Sequence, residues 1–115
     1  MLNVNGKTIE TDEEGYLLNP DDWDEDVAEA LAEKENIELT DVHWGLIYYF
    51  RDFYEDHMRH PSMREFLLTL GRRHGKRFRD TEAYRDFLYK LFPKGPVQTV
   101  CKLAGLPKPV EDVEA

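Results

Sequence analysis

The stretch "CKLAGLPKPVEDVEA", Cys101 to Ala115, holds the only cysteine of this 115-residue chain. A thiolate is a nucleophile toward sulfur, and neighbouring cations raise the thiolate fraction. Lys94, Lys102 and Lys108 stand close by in sequence. Cys101 also shares a helical stripe with Val97, Val100 and Ala104, and free cysteines are among the most buried residue types. Spacing therefore leaves two readings open: a reactive thiol at the base of an arm, or a small core side chain.

The other candidates are weaker. His57 and His60 are three apart, as a metal pair on a helix would be. A metal site needs further ligands at fixed geometry, and no cysteine cluster accompanies them, so no metal and no cofactor is expected. The run "GRRHGKRFRD" places Arg72, Arg73, Lys76, Arg77 and Arg79 together before Asp80. It suits a phosphate-binding loop, or a solvated loop facing an acidic surface. The preceding "MREFLLTL" is mostly apolar, whereas a base-reading helix carries polar side chains. The acidic run "DDWDEDVAE" reads as a solvated, dipole-favoured helix start, or as a docking surface for a basic partner. No Gly-rich phosphate loop, nucleophile elbow or paired-carboxylate signature occurs.

The elements that must position these residues follow from pattern. Leu2-Asn3-Val4 and Lys7-Thr8-Ile9 flank Asn5-Gly6, the dipeptide of a two-residue hairpin turn. A short strand is expected at Tyr16 to Leu18. From Pro20 the period turns helical, with Trp23, Val27, Ala30, Leu31 and Lys34 on one face. A second helix starts at the cap Thr40 and carries Leu46, Ile47, Phe50, Phe53 and Tyr54. Ser62 and Glu65 form a candidate capping box for a third, with Met63, Phe66, Leu67 and Leu70 inward. A fourth, "DTEAYRDFLYKLF", turns Tyr84, Phe87, Leu88 and Leu91 inward. Pro96 opens a fifth, short helix and Gly105 stops it. The expectation is a mainly α domain with a small N-terminal β-hairpin. It contains a helix-turn-helix-like pair at roughly 40–58 and 62–74. Residues 1–105 form the globule and 106–115 a flexible arm extended by Pro107 and Pro109.

Bulk properties narrow the function classes. No apolar run approaches the roughly 18 residues of a membrane span, and the N-terminus lacks a signal-peptide pattern. A single cysteine fits a reducing compartment, so a cytoplasmic location is expected. The net charge is −9: residues 1–41 carry −12 and the remainder +3. That balance disfavours nucleic acid as a partner, because phosphates are repelled.

Five stretches together resemble the DsrC/TusE family. They are "VNGKTIETDEEGYL", His43-Trp44, "RDFY" at Arg51 to Tyr54, "LYKLFPKGP" at Leu88 to Pro96, and "CKLAGLPKP" at Cys101 to Pro109. The family includes the gamma subunit of dissimilatory sulfite reductase and the TusE protein of the tRNA 2-thiouridine sulfur relay. The resemblance implies a small helical bundle with an N-terminal hairpin and a C-terminal arm. It implies an arm cysteine, next to the last residue, that carries sulfur as a persulfide into a partner's active site. A second cysteine stands eleven positions upstream in the sulfur-metabolism members. Here the upstream position is Cys101, and the terminal position is Asp112. The chain therefore resembles a divergent member without the penultimate cysteine. The implied function is sulfur relay through Cys101 by thiol–persulfide exchange. The implied partners are sulfur-transfer proteins, a sulfite-reductase-like complex or the tRNA-thiolation machinery. A non-catalytic regulatory paralogue with the same docking surface is the alternative, and a DNA-binding regulator a third reading.

Overall fold

The computed structural model describes residues 2–73 and 81–109, apart from the side chains of residues 70–73 and 81–83. The chain opens with the expected hairpin. Strands β1 (Leu2–Val4) and β2 (Lys7–Ile9) are antiparallel, with Val4 opposite Lys7 and Leu2 opposite Ile9. Asn5 and Gly6 both have positive φ, 51° and 80°, the geometry of a turn whose twist matches the strands. Leu2, Val4 and Ile9 face inward and Asn3 outward, so the period-2 alternation sets the hairpin on the core. No strand forms at Tyr16 to Leu18. A single bridge joins Thr11 to Leu17, and Leu18 is exposed.

A 3-10 turn at Pro20–Asp22 precedes α1 (Glu25–Lys34). The first helix is thus split. Asp24 caps α1 by accepting from the Val27 N–H at 2.8 Å, which leaves Trp23 in extended backbone ahead of the cap. This frees Trp23 from the helical face predicted for it. Helices α2 (Asp41–His57), α3 (Met63–Arg73), α4 (Thr81–Leu91) and α5 (Pro96–Leu103) follow. The Ser62–Glu65 capping box is present in both directions, at 3.1 Å each. Hydrogen bonding from Arg59, and from Ser62 against some burial, pulls the Glu65 carboxyl down to about 2.

The core joins all five helices to the hairpin. Phe50 of α2 and Phe66 of α3 meet edge-to-face at 4.8 Å between centroids. Phe92, just past α4, is wholly buried, whereas Phe87 is 43% exposed, contrary to the inward face assigned to it. The 100° step per residue puts Leu88 and Phe92, i and i+4, on the same side, and Phe87 falls outside it. α5 lies at the centre of this assembly and packs on α1, α2 and α4. Val97, Val100, Cys101, Leu103 and Ala104 are all at 0% exposure. No helix among the described residues is long and apolar enough to cross a membrane.

Candidate functional site

Cys101 occupies the last turn of α5 and is wholly buried in the core cluster. The stripe Val97, Val100, Cys101, Ala104 that sequence spacing marked is the buried face. The chain leaves that turn through a double closure. The Gly105 N–H donates to the Lys102 carbonyl at 3.1 Å, and the Leu106 N–H donates to the carbonyl of Cys101 at 3.0 Å. Gly105 has φ +71°. This is a Schellman end, in which a left-handed residue lets the chain turn back and satisfy the final carbonyls. Leu106, the first residue assigned to the arm, is itself buried among core residues.

Two side chains from distant sequence complete the seal. The Trp23 Nε1–H donates to the Leu103 carbonyl at 2.7 Å. The Arg51 guanidinium donates to the Ala104 carbonyl at 2.6 Å and lies 3.8 Å from the centroid of the Trp23 ring. A cation and two donors thus meet the negative end of the helix dipole. Gly105 is obligatory here for a second reason. A Cβ on it would sit 2.6 Å from Cδ1 and 2.8 Å from Cγ of Trp23. The turn that ends α5 is therefore clamped rather than hinged. Neither Trp23 nor Arg51 was singled out as a site residue from sequence. Arg51 is inside the "RDFY" stretch, but its target carbonyl is 53 residues away.

Around the seal runs a chain of charge. Lys102 Nζ meets Glu35 Oε1 at 2.6 Å and lies 5.3 Å from the Tyr16 ring centroid. Lys94 Nζ reaches the other oxygen of Glu35 at 3.3 Å. Burial pushes the Glu35 carboxyl up, but these two ammonium groups, Lys102 first, outweigh it and hold it below the ordinary value. Lys108 pairs with Glu14, which ties the first residues after Leu106 to the loop that follows the hairpin. The three lysines near Cys101 in sequence thus have carboxylate partners.

The remaining sequence candidates separate from this site. His57 packs on Phe53 at 4.3 Å between centroids, while Nδ1 of His60 lies 2.9 Å from its own neighbour's carbonyl at Pro61. Among the described residues no group of three or more His, Cys, Asp or Glu side chains could hold a metal. Asp112, His74 and the greater part of the basic run lie outside the described residues, as do the side chains of Arg72 and Arg73.

With that geometry in place, similarity to known proteins decides the family. The family model described as DsrC like protein matches residues 3–113. The chain belongs to the DsrC-like family. Among its DsrC-like relatives, the sulfurtransferase TusE homolog of Haemophilus influenzae is 44% identical over 111 residues, 96% of this chain and 98% of the relative. Sulfurtransferase TusE of Escherichia coli is 40% identical over 111 residues, with 96% and 98% covered. The solution structure of Allochromatium vinosum DsrC superposes with a TM-score of 0.82 at 40% identity, covering 97% of this chain and 96% of that one. The oxidized gamma subunit of dissimilatory sulfite reductase from Archaeoglobus fulgidus gives 0.82 at 38%, covering 97% and 98%. The DsrC-like fold, a hairpin followed by five helices, is thus shared along nearly the whole chain.

Proposed function

We propose that this chain is a sulfur-relay protein of the DsrC/TusE type, which handles sulfane sulfur at Cys101. It docks on proteins of sulfur transfer, whether a sulfite-reductase-like complex or the tRNA-thiolation machinery. One observation carries the assignment to Cys101. Relatives named sulfurtransferase TusE match almost end to end, and this chain has only one thiol. Any sulfur it holds as a persulfide is held there.

The step is exchange at sulfur. The Cys101 thiolate attacks the outer sulfur of a donor persulfide. A bond forms between Sγ and that sulfur, the donor's S–S bond breaks, and the donor departs as a thiolate with the electron pair. Delivery repeats the exchange toward an acceptor thiol. Burial makes this conditional: the closed fold admits no donor, so the last turn of α5 must open first. Opening breaks the closures from Gly105 and Leu106 and the bonds from Trp23 and Arg51. Local openings of this kind are part of native ensembles.

Intact-mass measurement after incubation with a polysulfide donor tests the reading. The expected product gains one sulfur atom, loses it on reduction, and does not form in Cys101→Ser. A parent protein that gains nothing, with the donor active on a control thiol, overturns the cargo role and leaves a docking protein of the same family.

A further inference from the structure

A cleft of about 460 Å³ opens beside the N-terminal half of α5, between residues 35–38 and the end of α4. Its walls include Ile37, Leu91 and Phe92, and two polar side chains that are almost wholly buried, His43 at 5% exposure and Thr99 at 7%. The protein spends neither of them fully. Nδ1 of His43 takes the Thr40 backbone N–H at 3.2 Å and lies 2.8 Å from the Thr40 hydroxyl. A backbone N–H can only donate, so Nδ1 is the unprotonated nitrogen and Nε2 carries the hydrogen. Among the described residues, no acceptor takes that Nε2–H, and the Thr99 hydroxyl has no partner.

The rim adds charge. Lys90 and Lys94 line the cleft with Glu35 and Glu38. Glu35 has two ammonium partners and needs one. Lys102 holds it at 2.6 Å with 15% of the lysine side chain exposed. Lys94 reaches it at 3.3 Å and is 81% exposed. Lys94 is thus the partner that can turn away at little cost. Counted together, Lys90, Lys94 and Lys102 outnumber Glu35 and Glu38 by one positive charge around the cleft.

We propose that this cleft binds a tetrahedral oxoanion, with His43 Nε2–H and the Thr99 hydroxyl as donors at its floor and Lys94 as the countercharge at its rim. Sulfate, thiosulfate and phosphate share this chemistry. No buried side-chain nitrogen or oxygen among the described residues lacks a partner, so both donors open to the cleft, where an anion supplies acceptors to both at once. The aromatic edge of Phe92, whose ring lies 5.3 Å from that of His43 at 81°, limits how far the imidazole can turn. Thr99 and Cys101 are two residues apart on α5 and so face opposite sides of the helix. The site is therefore separate from the thiol and does not depend on its role.

The test is a titration of the labelled full chain with sulfate, thiosulfate and phosphate in turn, at ionic strength held constant with chloride, followed by NMR. Saturable shifts are expected at the His43 ring and at the amides of Thr99 and Lys94. Thr99→Val keeps shape and loses the hydroxyl, and Lys94→Gln alters an exposed side chain, so both leave the fold intact. Each should weaken binding by about tenfold, the effect of one charge-assisted hydrogen bond. A difference among the three anions identifies the preferred source. Shifts that stay linear for all three, or saturable binding that neither variant weakens, overturn the site.

Discussion

The two ends of α5 are built in opposite ways. At the C-terminal end, the carbonyls of Cys101, Lys102, Leu103 and Ala104 each have a donor, from Leu106, Gly105, Trp23 and Arg51. At the N-terminal half, Thr99 and the neighbouring His43 keep donors in hand beside a cleft. Only five residues separate Thr99, on the unsaturated side, from Ala104 at the saturated end. Saturation makes a clamp, which suits the enclosure of a thiol. Spare donors make a receptor. One short helix thus has a structural end and an open end, and changes at each should have different signatures.

The strongest way to break the contrast is to add one carbon to the sealed end. Gly105→Ala forces a side chain into left-handed backbone and into the Trp23 ring, at a combined cost of about 2–4 kcal/mol. A fall in the denaturation midpoint, with faster alkylation of Cys101, is the expected result. Unchanged alkylation would mean that the seal does not guard the thiol. Arg51→Ala comes next. It removes a charged hydrogen bond and the stacking on Trp23, together worth about 2 kcal/mol. Its effect on the midpoint should be smaller, while Cys101 alkylation still accelerates.

Acid acts on the open side. Burial holds the His43 ring below its ordinary value of 6.5, so the unfolded chain takes up a proton before the folded one does. The stability from the neutral ring is complete above pH 6.5 and is lost as pH falls through the lowered folded value. Glu35 has its carboxyl below 4.5 in the fold. Its contribution is complete above that pH and is lost as pH drops through the folded value. Thermal midpoints across pH 7 to 3 should therefore decline in two stages. Lys108→Met should do least. Its pair with Glu14 is solvent-exposed, and such pairs contribute little. No measurable shift in midpoint is expected, which assigns the clamp to Trp23, Arg51 and Gly105 rather than to the arm.

Much of this frame is legible in the sequence because it is local. Asn5-Gly6 specifies its turn within two residues, Ser62 and Glu65 close a box across three, and Gly105 ends a helix whose last carbonyls lie just behind it. Phe87 was misplaced because periodicity marks a stripe but not its width. The clamp and the cleft escaped for a different reason. Trp23 meets Leu103 across 80 residues and Arg51 meets Ala104 across 53, separations over which spacing carries no signal. Trp23 was also drawn onto a helical face, and only the Asp24 cap shows that it stands outside the helix. Cys101 was left between core and chemistry, and the structure explains why spacing could not choose. It is a core residue by position, and its chemistry depends on whether the turn around it opens.

If Cys101 is the cargo thiol as proposed, its complete enclosure also sets the tempo of sulfur loading. A fully exposed thiol collects cargo in proportion to how much donor surrounds it. A thiol behind a four-bond closure collects it only during openings. At low donor levels uptake rises with concentration, and at high levels it levels off at the frequency with which the turn lets go. The clamp then sets a ceiling on flux, which a docking partner could raise by loosening Trp23 or Arg51. Between such encounters the closed fold shields the thiol from oxidants as well as from donors.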